Sequence, residues 1–572
     1  MKTKWIIRET DADLSLMSQV LGISPVTANV MANRDLRTKK TALSFLNPSL
    51  ESAHDGMTIK GMHEALELIS YAIEHKEKIM IYGDYDVDGI MATTILLKSL
   101  KTLGANVDFY IPHRIEEGYG LNLDAIRQLH KDGAEVLLTV DNGISAIEEI
   151  AVAKELGMKV IVLDHHDPGF TETENGREDI LPDADVVIDP KQEDCPYPFK
   201  ELCAGGLAYK LAVSISSHQS DELLALAAIA TICDIVSLRD ENRIIVKEGL
   251  ERLNSHKLIN LGLGSLITAR GYLDKPIDAF AIGFILGPCL NATGRLGSAS
   301  ASVELLIAED PKDRFRLAEE LCRLNDERKK ITADCAARAL SNLTEHLDKV
   351  LVLADTQAHE SVAGIVAGRI KEATGRPTIF ITQGDNAMKG SGRSIEGYNL
   401  FESLFKHRYL FIRFGGHPMA AGLTLSEENI PLLREALNAE CNLTEEDFSA
   451  SLHIDRELSP SEINLKLSEE LARLAPYGKG NREPLFVSRS LYVENCRVMN
   501  EKNTLIFSFS SAGGRHKGIA FGLNEDYAQA CTAAGVKPIG GYGMDVVYAM
   551  ETNVYNGVAS VQMRVRDFKI VP

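Results

Sequence analysis

Four clusters of acidic and imidazole side chains stand out along the chain. Asp84, Asp86 and Asp88 lie in GDYDVDG, Asp141 in DNG, Asp164, His165 and His166 in DHHDPG, and Asp234 follows AIATIC. So many carboxylates gathered at one place cannot all stay ionised without cations, because crowded like charges raise one another's pKa. Oxygen donors with one or two imidazoles suit Mn²⁺ or Mg²⁺ better than zinc, which prefers thiolate and histidine. Two such ions about 3.5–4 Å apart, bridged by a carboxylate, form a centre for phosphoryl hydrolysis. An aspartate after a strand is also a common turn or capping residue, and any one of these positions could be only that. GDYDVDG superficially matches a calcium loop, but it follows a strand and lacks the closing glutamate. Four clusters behind successive strand-like runs favour metal over independent caps.

The elements that must position them are short β-branched runs alternating with helical stretches. Lys78 to Tyr82, Asn106 to Ile111, Glu135 to Val140, Lys159 to Leu163 and Asp185 to Ile188 read as buried strands. Ile90 to Gly104 and Ala146 to Gly157 read as helices between them. That alternation predicts a parallel sheet covered by helices, with its ligand crevice at the carboxyl ends of the strands. From Pro311 to Lys349 no interior glycine or proline occurs, and Asp310 can cap the start. One unbroken helix there would run roughly 55–60 Å and join two domains; a break near Asn325 would make it two helices. A second α/β segment follows, with strands at Lys349 to Ala354 and Pro377 to Thr382 and a glycine-rich stretch to Gly422. From about Ser451, five strand-like runs predict a small barrel of the OB type.

Composition bounds the function classes. The 572 residues are 45% hydrophobic and 25% charged, as in ordinary multidomain globular protein. Asp and Glu number 81 against 61 Lys and Arg, a net charge of −20, which argues against a basic nucleic-acid coat. The longest near-continuous apolar run, Leu223 to Cys233, is too short to span a bilayer, and the first residues lack a secretory core. Nine cysteines without a CxxC pair are expected as reduced thiols in a cytoplasmic protein.

The acidic motifs resemble the four successive motifs of the DHH phosphoesterase superfamily, and the whole chain is similar to its RecJ single-strand-specific exonucleases. That similarity is carried by IPHRIEEGYGLN, YPFKELCAGGLAYK, LNATGRLG, LNDERKK, KGSGRS, FGGHPMAAG and APYGKGNREPLF, in that order. It implies an N-terminal segment (1–60) packing on a DHH domain (61–255), a helical region with the connecting helix (256–348), a DHHA1 domain (349–447) and an OB barrel (448–572). It implies further that Asp86 and Asp88 bind separate ions of two Mn²⁺ or Mg²⁺, with Asp84 close by and Asp141 bridging. His165 and Asp234 would complete one metal, His166 would face the scissile phosphate, and Asp164 would orient a histidine. Ser391, Arg393, Ser394, Gly415, Gly416 and His417 of the DHHA1 segment, with Asn291 and Arg295 of LNATGR, Arg114 and Arg369, are the expected substrate contacts. Tyr492, Phe507, Phe509, Tyr548 and Phe568 are stacking candidates in the barrel, of which one or two should face the strand.

The implied activity is 5′-to-3′ hydrolysis of single-stranded DNA to mononucleotides, in repair and recombination. A monomer is expected, with no membrane attachment, and with single-strand binding protein and a helicase as partners. Three departures from the family pattern are Cys289 in place of an arginine, no tryptophan before His359, and Tyr555-Asn556-Gly557 in place of tryptophan–glycine. They bear on strand contacts rather than on the metal set. A DHH enzyme for short substrates would lack the barrel and connecting helix, and a binding protein would not need the acids. The net charge therefore belongs in part to the metal site, and strand binding must rely on a localised basic groove.

Overall fold

A computed structural model describes residues 3–571 apart from 115–116, 119, 175, 217, 344–345 and 385. Ile115, Glu116 and Tyr119 of the IPHRIEEGYGLN motif thus lie outside the described residues. The chain divides into two units: His54–Asp234 with Gly249–Ala450, and Lys2–Ala53 with Ile235–Glu248 and Ser451–Pro572.

In the first unit, β1 (Ile79–Tyr82), β2 (Val107–Tyr110), β3 (Val136–Val140), β4 (Lys159–Leu163) and β5 (Val186–Ile188) form an all-parallel sheet of order β2-β1-β3-β4-β5. β1 and β3 are buried along their whole length, as their Ile, Val and Leu runs require in a sheet covered on both faces. β2 differs from its expected burial: it is the edge strand, and its side chains are partly exposed. Helices α1 (Val87–Thr102), α2 (Ala204–Ser216) and α3 (Asp221–Cys233) follow. The apolar run before Asp234 is therefore a helix rather than a strand, and Asp234 is its C-terminal cap.

α4 (Gly287–Leu296) leads to α5 (Pro311–Ser341), the connecting helix. Asp310 caps α5 as expected, but the helix is 31 residues long and ends eight residues before Lys349. It is unbroken at Asn325, which is buried, donates through Nδ2 to Cys289 Sγ on α4 at 3.4 Å and accepts from Arg328. The second five-stranded sheet of this unit, β6 (Leu351–Ala354), β7 (Thr378–Gln383), β8 (Met388–Arg393), β9 (Phe411–His417) and β10 (Ala420–Leu425), has order β9-β10-β8-β7-β6, with α6 (Ala363–Thr374) packed on it. Ala279–Leu296 is the one helical run among the described residues long and apolar enough to cross a membrane; half of it is buried in the protein, as in a core helix.

In the second unit, β11 (Phe486–Met499), β12 (Thr504–Ser511), β13 (Gly514–Phe521), β14 (Tyr542–Tyr555) and β15 (Val558–Val571) form a sheet of order β11-β12-β13-β15-β14. Pairing of β14 back to β11 closes it into the OB-type barrel. The N-terminal segment, up to Ala53, falls in the barrel's unit. Its strand Lys4–Ile7 pairs with Ser451–Ile454, and Met17, Val30, Met31 and Phe45 share a core with Phe486, Phe507 and Tyr548. Arg34 and Asp455 form a buried ion pair at 3.1 Å within that core. Ile235–Glu248 joins the same unit because the buried Arg243 donates to the carbonyls of Phe45, Leu474 and Ala475, satisfying a guanidinium that burial would otherwise penalise.

Candidate metal and phosphate site

β1 ends at Tyr82, and after Gly83 the chain folds back over the first turn of α1. Gly89 makes that fold possible, since a Cβ there would meet the Asp84 carbonyl at 2.6 Å. Asp86 caps α1, accepting from the N–H groups of Asp88 at 2.9 Å and Gly89 at 3.2 Å through one carboxylate oxygen. The capping and metal readings are thus compatible, because its other oxygen is not used by the cap. Asp88 is buried and accepts from Ala204 N at 2.8 Å and Gly205 N at 2.7 Å, at the start of α2. Asp141, directly after β3, is buried with φ +65°, a left-handed conformation rare outside glycine and asparagine.

His165 Nε2 lies 3.1 Å from Asp141, 3.7 Å from Asp88 and 3.8 Å from Asp234. Asp164 is buried and accepts four hydrogen bonds, from the N–H groups of Ile144, His165 and His166 and from His166 Nδ1 at 2.7 Å. Burial alone would raise its pKa, but the His166 hydrogen bond and charge lower it below the usual carboxylate value. Burial would likewise lower the pKa of His166, yet its bond to Asp164 raises it to about 9.

Three groups of ligand atoms each lie within 4.8 Å of one another: Asp84–Asp86–Asp141, Asp88–His165–Asp234 and Asp141–His165–His166. Asp86 and Asp88 fall in different groups; Asp141 belongs to that of Asp86 and meets that of Asp88 through His165, 3.1 Å away. The electrostatics fit cations here. Burial, then Asp86, pushes Asp84 up to about 8. Burial and Asp86 raise Asp88 to about 6, burial and Asp88 raise Asp234 to about 7, and burial and the other aspartates hold Asp141 well above its ordinary range. Asp84 Oδ1 is buried without a hydrogen-bond partner. Hard divalent ions suit this oxygen-rich donor set.

Beside it sits a cluster of opposite sign. The Arg114 guanidinium lies 4.8 Å above the Tyr85 ring, and Gly294, next to Arg295, packs so closely on Tyr85 that a Cβ would meet its carbonyl at 2.8 Å. Burial, then Arg114, Arg328 and Arg393, pushes Arg295 down to about 9. Burial and Arg369 lower Arg328, and burial and Arg114 lower Arg393. Arg295 Nη1 donates to Ser361 O at 2.7 Å and Arg393 Nη1 to Gly392 O at 2.8 Å. Among the described residues, no carboxylate pairs with Arg295, Arg328, Arg369 or Arg393. The structure thus brings Arg114, Arg295, Arg369 and Arg393 together, with Ser391 one Cβ contact from Arg393 across Gly364.

Other expected contacts stand differently. Ser394 is buried and donates to Tyr398 O at 2.7 Å, so it holds a loop. Asn291 Oδ1 is buried without a partner. Gly415, Gly416 and His417 are exposed on edge strand β9. Of the five barrel aromatics, only Tyr492 is exposed; Phe507, Phe509, Tyr548 and Phe568 are core. Sequence reasoning missed Arg328, inside the LNDERKK motif it used, and Asp189. Asp189 follows β5, is buried, has one unpartnered oxygen, and burial raises it to about 8. The strand-end rule that found the other acids applies to it equally.

A fold of this kind with this donor set defines a metal-dependent phosphoesterase, and residues 78–232 match the DHH family, N-terminal domain. Residues 347–443 match the DHHA1 domain and 454–567 the RecJ OB domain. The chain is 38% identical to the single-stranded-DNA-specific exonuclease RecJ of Bacillus subtilis, over 99% of this chain and 71% of that one. To its Escherichia coli counterpart it is 32% identical over 97% of both. RecJ of Thermus thermophilus in complex with Mn²⁺ superposes with a TM-score of 0.83, at 29% identity, covering 99% of this chain and 79% of that structure; its Mg²⁺ complex gives 0.77. The chain belongs to the RecJ family.

Proposed function

We infer that this chain is a metal-dependent exonuclease acting on single-stranded DNA. The observation that carries this reading is the juxtaposition, across Tyr85, of a buried carboxylate cluster and a cluster of arginines in which Arg295, Arg328 and Arg393 have no carboxylate partner among the described residues. Asp84, Asp86, Asp88, Asp141, His165 and Asp234 would hold two ions, Mn²⁺ or Mg²⁺. When bound, such ions activate water and offset charge on the phosphate oxygens.

The chain's own residues supply the rest. His166, kept protonated by Asp164, donates to a non-bridging oxygen of the scissile phosphate. Arg114, Arg295, Arg328 and Arg393 form a planar-donor pocket for a terminal phosphate, the group that marks a 5′ end. Holding that end while hydrolysis occurs at the neighbouring carboxylates gives 5′-to-3′ polarity and mononucleotide release. Work in repair and recombination, as a cytoplasmic monomer alongside single-strand binding protein and a helicase, follows from this reading.

The test supplies Mn²⁺ and labelled single strands, duplexes and dinucleotides, with Asp141→Asn as control. Asparagine tolerates the left-handed backbone at this position. Mononucleotides released from long single strands, and absent with the variant, support the reading. Cleavage of dinucleotides alone, or undiminished cleavage by the variant, overturns it.

A further inference from the structure

Ser403 to Ser426 contains no acidic residue, in a chain whose acids outnumber Lys and Arg 81 to 61. Its centre, Lys406-His407-Arg408-Tyr409-Leu410-Phe411-Ile412-Arg413-Phe414, interleaves cations with aromatics. Phe405 is 50% exposed, Tyr409 74% and Ile412 65%, and Lys406, Arg408 and Arg413 are exposed as well. Lys406 faces Glu440 at 3.6 Å, whereas Arg408 and Arg413 have no ion pair among the described residues. The Arg408 guanidinium instead lies over the Phe405 ring at 5.0 Å. Unpaired guanidinium groups beside exposed rings form the pattern by which single strands are held: bases stack, and phosphates meet fixed cations.

Position in the sheet ties this patch to the arginine cluster. In the register of β8, β10 and β9, Arg393 and His417 both pair with Ala420, and Ser391 and Gly415 both pair with Gly422. The His417 end of β9 is therefore the Arg393 end of the sheet. From there β9 runs outward through Arg413 to Phe411, about 13 Å from Gly415 at strand rise, and the 3-10 turn Arg408–Leu410 that carries Tyr409 lies just before it. β9 is also the terminal strand of its sheet, so its outer backbone groups have no strand partner among the described residues.

We propose that this edge is a second nucleic-acid site: a DNA strand with its 5′ phosphate in the arginine cluster and its next phosphate at the carboxylates reaches β9 farther along its length, stacking bases on Tyr409 and Phe405 and setting phosphates against Arg413 and Arg408. The barrel is then not the sole surface holding the strand. The proposal rests on the single-strand reading above. A competing occupant of a basic, unpaired strand edge is an acidic peptide added as an extra strand, but exposed rings beside guanidinium groups that have no ion pair among the described residues favour DNA.

The test uses the full chain with Asp141→Asn, so that strands are bound and not cut. Fluorescence anisotropy compares 5′-phosphorylated oligothymidylate of roughly 2 nucleotides, too short to leave the carboxylate site, and roughly 30 nucleotides. Arg408→Ala with Tyr409→Ala is expected to weaken the long strand about tenfold, change the short one less than about twofold, and lower the salt slope by about one unit. Tyr409→Phe keeps the ring and is expected to retain the affinity. An iodouracil at an interior position is expected to cross-link to Tyr409. Unchanged affinity for the long strand, no cross-link, or a loss seen only with a labelled acidic peptide overturns the proposal. If Asp141→Asn binds neither strand, the exonuclease reading itself falls and this site with it; if it binds both and the Arg408 and Tyr409 substitutions change nothing, only this site falls.

Discussion

The carboxylate crevice and the arginine cluster are both gatherings of like charge within one unit, yet they are held in different ways. The carboxylates are short side chains pinned by backbone. Asp86 accepts from its own helix, Asp88 from Ala204 and Gly205, and Asp164 from the N–H groups of Ile144, His165 and His166. The arginines reach in on long side chains from α4, α5, β8 and the loop after β2, with a single carbonyl or amide as anchor at Arg295, Arg328 and Arg393. Metal ions demand donors placed to within fractions of an ångström, which fixed backbone supplies. A phosphate leaving and re-entering at every turnover tolerates flexible donors that supply charge and planar geometry.

The largest expected effect tests whether the acids are a repulsive cluster kept for catalysis. Asp141→Asn should lower hydrolysis by about 1,000-fold or more, since Asp141 lies in two of the ligand groups. The same change should raise the melting temperature in chelator, because it removes a buried charge crowded by Asp84, Asp86 and Asp88. A variant that is both inactive and less stable without metal would break the comparison.

The next effect concerns pH and metal removal. Asp84, Asp88 and Asp234 have folded pKa values of about 8, 6 and 7, above the ordinary 3.8. Raised acids mean that the folded, metal-free chain binds more protons than the unfolded one. Its stability is therefore greatest at low pH on this account and declines as pH rises from about 4 to about 8. Saturating Mn²⁺ should remove that decline by taking the place of the protons. Melting curves in chelator and in Mn²⁺ across this range decide it; parallel curves would sink the idea. The arginines predict no such dependence, because their lowered values stay at or above about 9 where the structure assigns one.

Smaller still is the expected effect of the arginines proposed to hold the terminal phosphate. Arg295→Ala is expected to slow cleavage of 5′-phosphorylated strands about 10- to 100-fold while changing 5′-hydroxyl strands much less. Arg393→Lys keeps the charge and loses the fork, so an intermediate loss separates planar recognition from charge alone. Equal losses on both kinds of end would assign these arginines to the fold rather than to the terminal phosphate.

What was legible in the sequence follows the same division. Strand-end acids are visible because a short polar residue after a buried β-branched run has few other places to point, and Asp84, Asp141 and Asp164 were found that way. Asp189 obeys the same rule and was passed over. Arg328 was not visible as a site residue, because a surface-type arginine on a long helix is distinguished only by the neighbours that the fold brings to it. Strand alternation puts Phe507 and Phe509 on one face of β12, and that face is the inside, which the residue types alone do not reveal. The partner of the N-terminal helices was equally hidden: the segment Leu14–Leu21 is amphipathic, and amphipathicity requires a core without saying which one.

Tyr85 touches both regions and offers the finest test. Its ring lies under Arg114, its carbonyl packs on Gly294 beside Arg295, and it is bonded in sequence to Asp84 and Asp86. Tyr85→Leu retains the apolar bulk but removes the ring face, and a partly buried cation–π contact contributes about 1 kcal/mol. The expected result is a loss of about fivefold in affinity for a 5′-phosphorylated strand, with metal affinity unchanged when Mn²⁺ binding is measured by calorimetry. A drop in metal affinity as well would mean that the two clusters are mechanically one, because the same short segment would then be setting both the carboxylate geometry and the position of Arg114.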